Sequence, residues 1–413
     1  MKLLFYCLLL LFYSNNFFGK TLQVGEGKQF SSISSAISTS KSFDTILVFP
    51  KIYSEGKVLV IKHPLYLKAS EQYTVILDGK EEYGLFLIQS DSVTIDGFVI
   101  KNVGTSYIED RAAIMVEKSE NSKIVNNILE NTFFGIYFKK SSNCEISGNM
   151  IAGKALKEFS SANAIHLWYC NKMKISHNQI RGHRDGIYLE FVDSSLIENN
   201  LSEGNLRYGL HFMFSNNDVY LHNTFKNNGS GVAVMFSHYI DMIENHFIEN
   251  MGSASYGLLL KEIYDGNIVR NEFRENTIGL YGEGANRLNV SYNTFRNNGW
   301  AMKILGSSMD NQFVRNNYFG NSFNLSTNAN KNQNTYSLNY WDDYTGYDID
   351  KDGIGDIPYR PVGIFSYLVT KVDASMILMR SPIIEILNYA ESIAPVLTPT
   401  NLTDPEPSMR PNQ

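Results

Sequence analysis

Residues 209–247 read Gly209-Leu-His-Phe-Met-Phe-Ser-Asn-Asn-Asp-Val-Tyr-Leu-His-Asn-Thr-Phe-Lys-Asn-Asn-Gly-Ser-Gly-Val-Ala-Val-Met-Phe-Ser-His-Tyr-Ile-Asp-Met-Ile-Glu-Asn-His-Phe247. Two units alternate in this stretch. One is Gly-apolar-x-apolar, as Gly209-Leu-His-Phe212 and Gly231-Val-Ala-Val234. The other is apolar-x-x-Asn-x-apolar, as Tyr220-Leu-His-Asn223-Thr-Phe225 and Met242-Ile-Glu-Asn245-His-Phe247. Within each unit the alternation has a period of two, the mark of a short strand with one face inward.

Outward from this stretch the first unit recurs at Gly135, Ala164, Gly186, Gly257, Gly279 and Ala301. The second recurs around Asn127, Asn149, Asn178, Asn199, Asn271, Asn293 and Asn317, with a degenerate copy at Val93–Phe98. Most copies lie about 22 residues apart, the period of one rung of a parallel β-helix. A single rung cannot bury its own apolar face, but a stack of rungs can. The spacing predicts an all-β coil of about ten rungs, roughly 50 Å long at one rung per ~4.8 Å. The repeated Asn falls at a rung corner, where its amide bonds to the rungs above and below. The Gly is expected to permit a tight bend there.

The chain is 413 residues long, 43% hydrophobic and only 19% charged, the composition of a folded protein. A net charge of −6 argues against a nucleic-acid partner, which needs a basic footprint. Residues 1–19 are expected to be a signal peptide: Lys2, an apolar run from Leu3 to Tyr13, a polar Ser14-Asn15-Asn16 and Gly19. The alternative is an uncleaved anchor, but the run is short for a membrane span. The remaining divisions are a cap and first rungs over 20–90, with helical spacing at 30–40, and repeats over 91–325. A C-terminal cap with an Asp-rich loop over 326–373, an amphipathic partner-docking helix over 374–394 and a disordered, Pro-rich tail over 395–413 complete the chain.

Stacking converts the repeat into surface columns. Residues two after each Gly read Tyr137, His166, Tyr188, His211, Ala233, Leu259, Tyr281 and Lys303. Those four after it read Lys139, Trp168, Glu190, Met213, Met235, Lys261 and Glu283. His211, Met213 and Met235 then cluster, flanked by His166, Trp168, Tyr188 and Glu190. Thioethers are soft ligands and imidazole an intermediate one, so this set suits Cu(I) far better than magnesium or calcium. His166 is a candidate for a second copper site. The structural alternative is that both methionines fill gaps beneath a loop. The column His177, Glu198, His222, Glu244 and Arg270 reads as a charge ladder. Cys144 and Cys170 fall in different columns and read as buried thiols.

Two further groups carry possible chemistry. His183-Arg184-Asp185, beside Tyr188 and Glu190, offers a base and an acid to a polysaccharide lyase, hydrolase or epimerase, or forms a hydrogen-bonded turn. Asp348, Asp350, Asp352 and Asp356 with Gly353 resemble the first half of a calcium loop, although Tyr359 stands where the bidentate Glu belongs. Met376 and Met379, in the expected helix, are candidates for extending a copper route. A glycan-binding module remains a third reading, one that predicts aromatic columns without metal.

Several of these segments are specific. Leu-His-Phe-Met-Phe-Ser215, Ala-Val-Met-Phe-Ser237, Tyr281-Gly-Glu-Gly, Tyr340-Trp-Asp and Asp352-Gly-Ile-Gly-Asp-Ile-Pro-Tyr resemble the NosD family, periplasmic maturation proteins of nitrous oxide reductase. The resemblance spans nearly the whole chain after residue 19. It implies a right-handed parallel β-helix and a periplasmic, non-enzymatic role in building the copper centre of that reductase. It also implies three partners: an ABC transporter of the inner membrane, a copper-chaperone lipoprotein and nitrous oxide reductase itself. The ligand set His211, Met213 and Met235 rests on the column argument alone.

Overall fold

The computed structural model describes residues 19–106, 108–158, 161–329, 333–371, 375, 378, 381–393 and 402–413. The expected signal peptide, Gly19 excepted, lies outside the described residues, as do Met376 and Met379. The rest winds into a right-handed parallel β-helix. Successive rungs pair in parallel and in register, as Leu210 with Val232 and Val234 with Leu260. The coil has about 14 turns, where the sequence suggested ten. One of its sheets has 13 strands, one per turn. The extra turns lie at the ends. Strands such as Asp44–Val48 and Leu65–Ala69 stack by apolar alternation without the Asn and Gly marks, and Tyr340–Trp341 extends the coil beyond Phe319.

The inward residues form continuous files. Ile187, Leu210, Val232, Leu258 and Leu280 are buried in one. Another is a parallel aromatic stack in which Phe247 and Phe273 lie 4.7 Å apart, Phe273 and Phe295 4.6 Å, Phe295 and Tyr318 5.1 Å, and Tyr318 and Trp341 4.0 Å.

The Asn ladder satisfies both the side chains and the corner backbone. Asn223 donates from its backbone N–H and its Nδ2 to Asn245 Oδ1, each at 3.0 Å, and Nδ2 reaches back to Ile197 O. Two rungs are read one residue off in the sequence. The ladder members are Asn200 and Asn316, not Asn199 and Asn317. In an Asn-Asn doublet either residue suits the pattern, and the inward residue two places on decides. That residue is Ser202 or Tyr318, whereas Leu201 and Phe319 gave the stronger apolar signal. Asn199 instead takes a left-handed corner at φ 53°. A second ladder, Asn205, Asn228, Asn250, Asn276, Asn298 and Asn321, runs beside the first. It went unread although each member lies five residues after a member of the first.

The repeated Gly does not make a bend. Gly209 and its equivalents keep ordinary strand backbones, and the left-handed corners belong to other residues. A Cβ on Gly209 would lie 2.7 Å from Asn228 Nδ2 and 2.8 Å from Gly231 O. The column is small because the second ladder and the next rung leave no room.

The ends are closed. Helix Ile33–Thr39, capped by Ser32, buries Ile33, Ala36 and Ile37 on the first rung. At the other end, Tyr359 stacks 4.9 Å from Trp341. Of the expected disordered tail, residues 395–401 lie outside the described residues and 402–413 are corrected: Leu402 and Asp404 are buried, and Asp404 pairs with Tyr359 in an antiparallel bridge. Asp404 Oδ2 accepts from Asn339 N–H and Nδ2, at 3.1 and 2.9 Å, and from Trp341 Nε1 at 3.1 Å. A carboxylate thus terminates the Asn ladder, and prolines are compatible with such an extended cap.

The single helix expected over 374–394 is also corrected. Ile364–Lys371 and Pro382–Ile393 are separate helices. Pro382 has no N–H to donate and belongs in a first helical turn. Both pack on the outside of the last rungs, where Phe365, Val369 and Ile384 meet Ile278, Trp300 and Phe323.

Candidate metal centre

Strand Tyr208–Met213 carries Leu210 and Phe212 inward, so His211 and Met213 face out. The next rung, Ser230–Ile243, sets Met235 across from Met213 and Ala233 across from His211. The preceding rung, Asp185–Glu190, sets Tyr188 across from His211 and Glu190 across from Met213. The three sequence-predicted ligands therefore share one outward face. Both methionines are half-buried, and the Tyr188 hydroxyl lies 4.0 Å from Met213 Sδ.

His211 faces outward yet is only 6% exposed. The Tyr208 ring lies 4.8 Å away and the Tyr188 ring 5.0 Å. Arg207 Nη2 lies 3.4 Å from Nδ1, and Asp185 Oδ2 lies 4.0 Å from it. Nε2 is buried with no hydrogen-bond partner. Burial pushes the imidazole pKa down to about 4, so the ring is neutral at pH 7. His166, two rungs away in the same column, repeats the arrangement. Its Nδ1 lies 3.1 Å from Asn163 Nδ2, its Nε2 is buried without a partner, and burial lowers its pKa to about 3. Tyr137, His166, Tyr188 and His211 form a file of alternating phenol and imidazole rings with centroids 4.2, 4.7 and 5.0 Å apart; the first pair is stacked, the second tilted and the third edge-to-face. A buried polar atom without a partner is uncommon and calls for a reason. A neutral imidazole beside thioethers is also the form that binds a soft cation.

The other candidates are placed differently. Asp348, Asp350 and Asp352 converge, with ligand oxygens within 4.8 Å of one another. Asp356 is not among them; its Oδ2 accepts from Ile349 N–H at 2.6 Å. Cys144 and Cys170 are buried and free, and burial raises their thiols to about 11 and about 12, so neither is a thiolate at neutral pH. In the charge column His222 pairs with Glu244 at 3.2 Å. Glu198 lies outside that column, because Asn199 holds the corner, and pairs with Lys174 at 3.0 Å.

Residues 42–156 and 153–346 match the family described as periplasmic copper-binding protein (NosD). The chain belongs to the NosD family. Two curated relatives bear the name probable ABC transporter binding protein NosD. The one from Stutzerimonas stutzeri is 28% identical over 371 residues, covering 85% of this chain and 84% of the relative. The one from Pseudomonas aeruginosa is 29% identical over 370 residues, covering 85% of each. NosD is thus a periplasmic, copper-binding family associated with ABC transporters. Among the described residues no helix is long and apolar enough to cross a membrane.

Solved structures resemble this NosD chain in shape alone. The A-module of mannuronan C-5 epimerase AlgE6 of Azotobacter vinelandii has a TM-score of 0.57 at 13% identity, covering 74% of this chain and 92% of the module. The catalytic unit of an α-1,3-glucanase of Streptomyces thermodiastaticus has a TM-score of 0.62 at 12% identity, covering 77% and 67%. At such identities the likeness establishes the coil and not its chemistry. The triplet that suggested carbohydrate chemistry is locked in this NosD chain. Asp185 is fully buried in a two-pronged pair with Arg207, at 2.9 and 2.6 Å. His183 is 1% exposed at the head of the second ladder, its N–H bonded to Asn205 Oδ1.

Proposed function

We propose that this chain is a non-enzymatic periplasmic accessory protein for copper-centre assembly of nitrous oxide reductase. It receives Cu(I) from a chaperone lipoprotein, holds it at His211, Met213 and Met235, and presents it to the apo-reductase. An ABC transporter beside it supplies the ATP hydrolysis. The observation that carries this reading is the pairing of Met213 with Met235 on adjacent rungs, next to a buried, neutral imidazole whose Nε2 has no partner. Family membership supports the copper and the transporter.

In this reading Nε2 is the nitrogen ligand; Nδ1 lies 3.4 Å from Arg207 Nη2, a donor, and 4.0 Å from Asp185 Oδ2, so metal binding at Nε2 places the ring proton on Nδ1 and turns Nδ1 from Arg207 toward Asp185. His166, whose Nε2 is likewise without a partner, is the candidate nitrogen ligand of a second copper site, without a thioether opposite it. The oxygen cluster of Asp348, Asp350 and Asp352 suits a hard cation such as calcium instead. The transporter contact is the outer face of the last helix, where Ile383, Ile386 and Tyr389 are exposed.

The double substitution Met213→Leu, Met235→Leu conserves volume and is expected to leave the melting temperature within a few degrees. Cu(I) affinity, measured by competition with a chromophoric chelator, should fall at least tenfold, about 1.4 kcal/mol. An unchanged affinity rejects the ligand set.

A further inference from the structure

The residues that follow the outward column of Met213 and Met235 turn a corner of the coil. They read Lys118, Lys140, Tyr169, Phe191, Phe214, Phe236 and Glu262, and each has a left-handed backbone with φ between 50° and 54°. The four aromatics stack on one another at 4.5, 5.2 and 5.1 Å, with ring planes within 18° of parallel. They are nevertheless exposed: Tyr169 48%, Phe191 36%, Phe214 40% and Phe236 38%.

Folding does not require aromatics at this corner. Neighbouring rungs place Lys or Glu there, and a left-handed backbone costs a residue other than Gly about 1–2 kcal/mol. Ring pairing offsets part of that, but leaves a contiguous apolar strip in water, the usual mark of an interaction surface. Its chemistry is selective. Phe191 and Phe214 are stacked on both faces, so a sugar, which stacks on a face, meets only their edges. A thioether favours the ring edge. Lys118 and Lys140, both exposed, extend the strip at one end and Glu262 at the other, which gives an occupant a direction.

We infer that this corner is the docking strip for the Cu(I) donor, a protein that presents methionine thioethers to the ring edges and carboxylates to Lys118 and Lys140. The inference rests on the copper-receiving role proposed above, because Phe214 and Phe236 directly follow Met213 and Met235. A thioether seated on the strip is beside the acceptor ligands when its copper is released.

The test uses the mature chain and the soluble domain of the copper-chaperone lipoprotein. Phe191→Asn with Phe214→Asn removes the edges while keeping a residue that tolerates the left-handed corner. Lys118→Glu with Lys140→Glu is an independent variant on exposed positions. Both should melt like the parent and take Cu(I) from a chelator with parental affinity. Binding of the copper-free chaperone domain should weaken at least tenfold in each, and the loss in the lysine variant should shrink at high salt. Parental chaperone binding by the aromatic variant overturns the inference. So does a parent that is dimeric by sedimentation and becomes monomeric in that variant, since the occupant is then a second copy. Because the copper-free chaperone is the probe, failure of the Met213–Met235 ligand set is read separately, in the chelator assay.

Discussion

Asp218 occupies a corner position that Asn fills elsewhere. Its Oδ1 accepts from Ser195 N–H at 2.8 Å, just as Asn311 Oδ1 accepts from Leu288 N–H at 2.9 Å. The carboxyl is fully buried, and burial holds its pKa well above the usual range. The folded state therefore keeps a proton that the unfolded chain releases, and stability falls as pH rises above the ordinary Asp value near 3.8. Asp218→Asn should raise the melting temperature at pH 7 by an amount corresponding to about 1–3 kcal/mol, with a smaller gain at pH 4. Thermal unfolding followed by circular dichroism at the two pH values checks this; an equal or larger gain at pH 4 contradicts it. Gly209→Ala tests the crowded column and should cost about 1–3 kcal/mol, read as a lower denaturation midpoint. At this scale the sequence showed which residues share a face, since strand alternation and the 22-residue period determine that. It did not show that His211 is buried, because its cover comes from Tyr208, Arg207 and a neighbouring rung. For His183 the sequence offered both chemistry and a hydrogen-bonded turn, and the corner holds the latter, with the His183 backbone N–H on Asn205 Oδ1.

The ladders and the caps are the next scale. Asn271 Oδ1 accepts from Asn245 N–H and Nδ2, while its Nδ2 donates to Asn293 Oδ1 and Met242 O. Asn271→Ala leaves several buried groups unpaired and should destabilise the coil by about 2–4 kcal/mol, at ~1–3 kcal/mol per unmet group; urea unfolding measures it. Deleting residues 402–413 uncovers Trp341 and the end of the ladder. The variant should lose thermal stability and show Trp341 more open to a fluorescence quencher; parental quenching would deny the tail its capping role. The first ladder was legible because Asn recurs before an apolar residue. The second follows it at a constant five residues and was equally legible. The tail was not, because a Pro-rich composition does not reveal that one carboxylate completes a ladder 65 residues away. The break between the two C-terminal helices was marked in the sequence by Pro382.

The whole molecule is a closed rod with its soft-ligand face in the middle of the coil and its helical pair on the last rungs. A parallel stack of this kind holds side chains from distant parts of the chain one rung apart, about 4.8 Å, without loops or hinges. That is what allows two thioethers and an imidazole to form one site with no local motif. The long ordered column also explains why the family segments are specific. Phe-Met-Phe-Ser and Val-Met-Phe-Ser each encode an inward anchor, a candidate ligand, a strip aromatic and a corner serine; Ser215 N–H donates to Ser237 Oγ. Copper-edge X-ray absorption of the Cu(I)-loaded mature chain tests this arrangement most directly. The predicted spectrum contains two sulfur scatterers and a histidine nitrogen, and the sulfur disappears in Met213→Leu, Met235→Leu. A spectrum that keeps its sulfur in that variant would contradict the assignment of the metal centre.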